Sequence, residues 1–204
     1  MRWIALLLPL ACGAQDWGSL HIVNADLPLS DRLLVQFHVR ARTNDHFHDY
    51  FQSRGGPIAW YRLRSRLSIL GGYYFLDEES VSGLRSNFHR VFGGVNYVVP
   101  TPRAIKIESR SLVERFIATP SGSYMRVRQR LWLTLGQRKV RPYFQSEGLV
   151  QRGLPTGRFG AGLQFSSRSG RDLFVGYEFR HLPGAPRLQL ITSTFQFRLR
   201  PKRD

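Results

Sequence analysis

Between residues 124 and 135 the side chains alternate in character. Met125, Val127, Leu131, Leu133 and Leu135 share the odd positions with Gln129, while Tyr124, Arg126, Arg128, Arg130, Trp132 and Thr134 take the even ones. A period of two is that of an extended strand, so this segment has one apolar face and one face carrying three arginines. Residues 32–42 repeat the pattern, with Leu33, Val35, Phe37, Val39 and Ala41 opposite Gln36, His38, Arg40 and Arg42. Similar strands are predicted over residues 50–63, 67–76, 87–99, 105–118, 141–151, 158–167, 173–180 and 188–199. They are separated by turn-forming runs such as Pro100-Thr101-Pro102, Ser121-Gly122-Ser123 and Ser169-Gly170. No window has a helical period.

Strands of this kind suit either a soluble sandwich, with its apolar face in a core, or a membrane barrel, with that face toward lipid. Length discriminates: all but one of the predicted strands run to ten or more residues, near the ~9–11 needed to cross a bilayer at a tilt and beyond the ~5–6 usual in soluble sheets. The fold expected is an all-β, antiparallel up-and-down transmembrane β-barrel of about ten strands, within a range of 8 to 12. Ten strands starting near residue 32 put the turns near residues 64, 100, 138 and 169 at one end. The loops near 43, 77, 121, 155 and 183 then lie at the other, and both chain ends are periplasmic. Residues 17–23 then form an extra periplasmic or lumenal strand, or part of a twelve-stranded closure.

The same parity defines an interior. With apolar faces outward, Arg40 and Arg42, Arg62 and Arg64, Arg90, and then Glu108, Arg110 and Glu114 line the lumen. They are joined by Arg126, Arg128 and Arg130, by Glu147, and by Glu178 and Arg180, with Lys106, Arg141, Arg158 and Arg198 on the same parity. Buried charges need water or partners. The lumen is therefore either an anion-attracting pore or pocket, or a plug held by Arg–Glu ladders. Arg115 falls on the apolar side, implying a bulge or a snorkelling side chain. Aromatic residues near strand ends, Trp60, Tyr61, Tyr73, Tyr97, Tyr124 and Phe197, are candidates for interface girdles.

Charge sharpens this picture. The 204 residues carry 30 Lys+Arg against 14 Asp+Glu, a net +16, with only Lys106, Lys139 and Lys202 as lysines. Nucleic-acid binders gather such charge in one patch or helix, whereas here it recurs inside alternating strands along the whole chain, so no nucleic-acid partner is expected. Residues 1–14, MRWIALLLPLACGA, have one cation, an apolar run and small residues before a cut ahead of Gln15, the pattern of a signal peptide. Residues 15–204 then form a single barrel domain, and Cys12 departs with the leader unless it is retained as a lipoprotein anchor. The location expected is the outer membrane of a Gram-negative bacterium. The partners are its lipid and lipopolysaccharide, the barrel-assembly machinery and small anionic solutes.

No cofactor, metal or phosphate-cradling motif is present. His46 and His48 at a spacing of two, followed by Asp49, are the weak candidates for acid–base chemistry, with Ser80, Ser82 or Ser121 as conceivable nucleophiles on the same rim. They define an alternative, a lipid-modifying barrel enzyme acting on lipid A or phospholipid acyl chains; a second alternative is a soluble periplasmic barrel for a hydrophobic or anionic ligand. His89 falls on the lipid-facing side of its strand.

Several segments, WYRLRSRLSILGGYYF, NFHRVFGGVNYVVP, RSLVERF with YMRVRQRLWL, and GYEFRH, together resemble the bacterial family catalogued as domain of unknown function 2490. The matching positions include Gly72, Tyr73, His89, Arg90, Arg110, Glu114, Arg115, Arg126, Arg128, Gly176 and Tyr177. The resemblance covers nearly all of the chain after the leader and implies a signal-bearing outer-membrane barrel without an assigned activity. One departure is the end of the chain, where Phe197 is followed by Arg198 to Asp204 instead of closing the last strand on an aromatic residue.

Overall fold

The alternating segments become eleven strands in the computed structural model, which describes residues 16–44, 49–79, 84–118, 122–167, 169–181 and 188–199. In order they are β1 (Asp16–Pro28), β2 (Leu33–Asn44), β3 (Asp49–Arg64), β4 (Leu67–Glu79), β5 (Arg85–Val99) and β6 (Ile105–Ala118). They continue as β7 (Gly122–Leu135), β8 (Val140–Gln151), β9 (Leu154–Ser166), β10 (Arg171–His181) and β11 (Leu188–Arg198). Each strand pairs antiparallel with the next, and β1 pairs parallel with β11 to close the barrel. The strands are 11 to 16 residues long, enough to cross a bilayer at a tilt.

The sequence spacing leads to ten strands; the structure adds β1, which contains the 17–23 segment. Its far end looks like a turn because Asn24, Asp26 and Pro28 are poor strand formers. Those polar side chains point inward and are satisfied there. Asn24 Oδ1 lies 2.8 Å from His38 Nδ1, and Asp26 accepts from Gln36 Nε2 and Gln196 Nε2, each at 2.7 Å. With eleven strands of alternating direction, the first and last run the same way. Their seam is therefore parallel, and the two ends of the barrel chain lie at opposite mouths instead of both on one side. The first mouth carries the connections at 29–32, 65–66, 100–104, 136–139 and 167–170; the second carries those at 45–48, 80–84, 119–121, 152–153 and 182–187. Both sets are short, two to six residues each.

Burial is inverted relative to a water-soluble protein. Val39, Val91, Val113, Val127 and Phe159 are more than half exposed on the outer face, whereas Arg90 and Glu114 inside have no exposure at all. Polar groups on the outer face bond to one another: Gln129 donates from Nε2 to Ser109 Oγ at 2.8 Å and accepts at Oε1 from Ser111 Oγ, and His21 meets Ser193 at 2.8 Å. Self-satisfaction of this kind is required where water is absent. Arg115 stands in unbroken register between Val91 and Met125, so there is no bulge. It lies outward near the second mouth, exposed on the outer face.

The interior is not wholly polar. Ile58, Leu70, Tyr74, Leu76, Phe92, Leu112 and Phe116 form an apolar wall along β3–β6, with Trp60, Phe88 and Tyr124 packed against it. Trp60 and Tyr124 are thus lumenal and not girdle residues, whereas Tyr61, Tyr73 and Tyr97 are exposed outside. Beside this wall, on β7 and β8, Tyr143 stacks on Trp132, with ring centroids 4.6 Å apart and planes 7° apart. Glycines make the space: a Cβ on Gly176 would stand 2.4 Å from the Tyr143 hydroxyl, and one on Gly162 2.8 Å from its ring.

Candidate functional site

Chemistry in this chain is concentrated in the barrel interior, which divides into a packed half and an open half. In the packed half, toward the second mouth, Glu114 of β6 sits among guanidiniums from the two neighbouring strands. Its Oε1 accepts from Arg90 of β5 and from Arg128 of β7 (3.1 Å), and its Oε2 accepts from Arg126 of β7. Register explains the convergence, since Glu114 stands directly opposite Arg126 across β6–β7 and opposite Phe92, two residues from Arg90, across β5–β6. Aromatic faces hold the cations in place: Arg90 lies 4.9 Å from the Phe92 centroid and 5.1 Å from Tyr74, and Arg126 lies 4.5 Å from Phe116. Arg42 is packed at the same end, 3.6 Å over the Phe51 ring.

From this plug the ion pairs continue round the barrel through β8, β9 and β10. Arg128 also reaches Glu147 of β8 (3.5 Å), Glu147 pairs with Arg158 of β9 (3.1 Å), and Glu178 of β10 pairs with Arg180 (2.6 Å). The ladder has a regular origin: Arg110, Arg130, Glu147, Arg158 and Arg180 are successive cross-strand partners from β6 to β10.

Beyond Arg128 and Glu147 the lumen opens into a cavity of about 950 Å³ whose lining reaches Ser30, Asp31 and Arg32 at the first mouth. Arg62, Lys106, Glu108 and Arg198 stand near its rim, and Arg40, Arg54, Arg158 and Arg180 near its floor. Twelve Lys/Arg side chains line it against six Asp/Glu, an excess of six positive charges. Arg90, Glu114, Arg126, Leu76 and Phe116 are not part of its lining; they fill the barrel beneath it. Among the described residues the lumen is therefore a blind cup.

The structure distributes the sequence-derived residues as follows. Arg40, Arg62, Glu108, Arg110, Arg128, Arg130, Glu147, Glu178 and Arg180 border the cup, and Arg42, Arg90, Glu114 and Arg126 lie in the packed half. Arg64 is exposed at the 65–66 turn, because a register shift between Arg62 and Arg64 breaks the parity that would direct it inward. Arg54, absent from the sequence-derived set, is inside the cup; Gly55, Gly56 and Pro57 after it, and a register shift near Arg42, obscure the alternation there. His38 was on the polar face but its role was not visible. Its Nε2 accepts from Arg54 Nε (3.3 Å) while Nδ1 faces Asn24 Oδ1, an arrangement that only a neutral imidazole with its proton on Nδ1 can make.

His46 and His48, like Ser80, Ser82 and Ser121, lie outside the described residues; Asp49 begins β3 opposite Asn44. His89 is on the outer face with its Nδ1 2.6 Å from the Tyr73 hydroxyl, a paired histidine near the second mouth. No group of three His, Cys, Asp or Glu side chains within metal-binding reach occurs among the described residues.

An apolar exterior, a charged interior and a sheet without free edges define a closed β-barrel whose lumen is a half-filled cup. The chain belongs to the family described as "Protein of unknown function (DUF2490)", whose model matches residues 17–189. No curated protein matches it. Among solved structures it is similar to the beta domain of the Bordetella autotransporter Brka, with 14% identity over 82% of this chain and 83% of that one and a TM-score of 0.49.

Proposed function

We propose that this protein is an integral outer-membrane β-barrel that carries a sealed, cationic cup for anionic solutes and does not conduct through its full length. The inverted burial supports the membrane reading. A barrel in water would expose Val39, Val91, Val113, Val127 and Phe159 to solvent while enclosing Arg90 and Glu114, at a cost of about 25 cal/mol for each Å² of apolar surface left wet. Bilayer-spanning barrels of this build belong to the outer membrane. Within that reading the sealed cup is favoured over an open anion channel by one observation: the residues of the second-mouth half are packed and take no part in the cavity lining. Nothing in the described residues favours the lipid-modifying alternative.

Two measurements test this. The protein should fractionate with outer membranes and migrate faster unboiled than boiled on a detergent gel, because a folded barrel resists detergent. Recovery in the soluble fraction without that shift refutes the membrane reading. In planar bilayers the intact chain should pass no steady current, and a reproducible anion-selective conductance would refute the seal.

A further inference from the structure

Arg40 and Arg54 are directly opposed partners across β2 and β3, and both line the cup. Like charges so placed in a sheet repel, and a desolvated guanidinium ordinarily has a carboxylate to meet. The neighbouring floor arginines do: Arg128 and Arg158 reach Glu147, and Arg180 reaches Glu178. Arg40 does not. It is 5% exposed, donates from Nη2 to the amide oxygen of Gln52 (3.2 Å), and its Nε has no acceptor among the described residues. Arg54 donates to His38, which is neutral in this arrangement, and lies 5.0 Å from the Tyr74 centroid. Arg42, Arg158 and Arg180 add to the positive field at Arg40. The floor thus presents two guanidiniums that neutral groups orient and that touch no carboxylate among the described residues, Glu178 and Glu114 acting on them only at longer range.

We infer that the floor of the cup is a binding site for a phosphate monoester, with Arg40 and Arg54 as the ligands of the phosphoryl oxygens. A phosphate monoester carries about −1.5 to −2 charges at neutral pH, suiting two cations that have no carboxylate in direct contact. The planar fork of a guanidinium fits its oxygens in pairs. His38 and Gln52 keep the two side chains in place without supplying a competing anion. A cup of about 950 Å³ lies within the ~300–1,000 Å³ usual for small-molecule sites, so there is room for an organic group beside the phosphate. Ile58 and Trp60 line that side, and Trp60 Nε1 is a buried donor without an acceptor among the described residues. This inference rests on the proposed cup being open at the first mouth.

The test uses the full chain refolded in detergent. Inorganic phosphate and glycerol 3-phosphate, each compared with chloride at equal ionic strength, should bind saturably by calorimetry and raise the urea midpoint. Arg40→Gln and Arg54→Gln should each weaken binding at least about tenfold, the loss of one bidentate charge-assisted contact. Both variants should keep heat-modifiable migration and a urea midpoint, without phosphate, no lower than wild type, because each removes a like-charge contact. Arg115→Gln on the outer face should bind as wild type does. Vesicles containing phosphatidate separate the sources: a gain over phosphatidylcholine that disappears in both variants assigns a lipid headgroup, and its absence alongside phosphate binding assigns a soluble monoester. No saturable response to phosphate or phosphatidate, or an undiminished response in both variants, overturns the inference. A protein that is heat-modifiable yet fails to bind sinks the phosphate site alone, whereas loss of heat-modifiability in the wild type sinks the membrane barrel itself.

Discussion

Replacing Glu114 with glutamine perturbs the one carboxylate on which three guanidiniums converge. Glu114 and Arg90 have no side-chain exposure, and those of Arg126 and Arg128 are 10% and 13% exposed. The amide keeps one acceptor but removes the negative charge and turns two donors toward Arg126. Removing one member of a buried ion pair costs about 3–5 kcal/mol, because the remaining charge is stranded. Arg128 retains Glu147, so Arg90 and Arg126 bear most of that loss. At ~1.4 kcal/mol per tenfold, the folded-to-unfolded ratio should fall by about two to three and a half orders of magnitude. Urea unfolding of vesicle-reconstituted protein, followed by tryptophan fluorescence and by the unboiled gel shift, measures this. Glu108→Gln is the control: its partner Lys106 is 3.2 Å away, but the two side chains are 29% and 55% exposed, so the change should stay under about 1 kcal/mol. Arg90→Met combined with Glu114→Gln should cost clearly less than the two single changes added together, since the double variant strands one charge fewer. If Glu114→Gln unfolds within 1 kcal/mol of wild type, or no further from it than Glu108→Gln, the plug is not held by its charges and the reasoning fails.

Two other expectations concern packing and lipid. Gly176→Val places a side chain where a Cβ already meets Tyr143 Oη at 2.4 Å and the Ala161 carbonyl at 2.5 Å; it should destabilise by about 1–3 kcal/mol or more, whereas Gly148→Ala, with nothing within 4 Å of its Cβ, should be tolerated in the same unfolding assay. Val127→Arg puts a cation on an outer position that is 56% exposed in the middle of β7. It should cost roughly 2–4 kcal/mol in lipid vesicles, and equal stability of variant and parent there would contradict a hydrocarbon environment.

The parity of the barrel was legible wherever one strand face was nearly all apolar, as in residues 124–135, because a strand then reads as a clean two-residue alternation. β1 was not, since Asn24 and Asp26 resemble turn residues until His38, Gln36 and Gln196 are brought beside them, the last from 170 positions away. The apolar interior wall was also hidden: in β4 both Ile69, Tyr73 and Phe75 outside and Leu70, Tyr74 and Leu76 inside are apolar, so hydropathy alone does not separate the faces. Which arginine meets which glutamate depends on the stagger between strands, a quantity absent from any single segment. That is why the convergence on Glu114 and the opposition of Arg40 with Arg54 emerge only from the paired sheet.

On the proposed membrane reading, the parallel seam between β1 and β11 bears on how the barrel is inserted. A polypeptide that crosses a bilayer an odd number of times cannot have both tails in the same compartment, so delivery from one side obliges one tail to be threaded through. Epitopes fused ahead of β1 and behind β11 should accordingly be cleaved by protease from opposite faces of intact cells or vesicles. The zipper that finally joins head to tail must also form between two strands advancing in the same direction, which a simple hairpin cannot template.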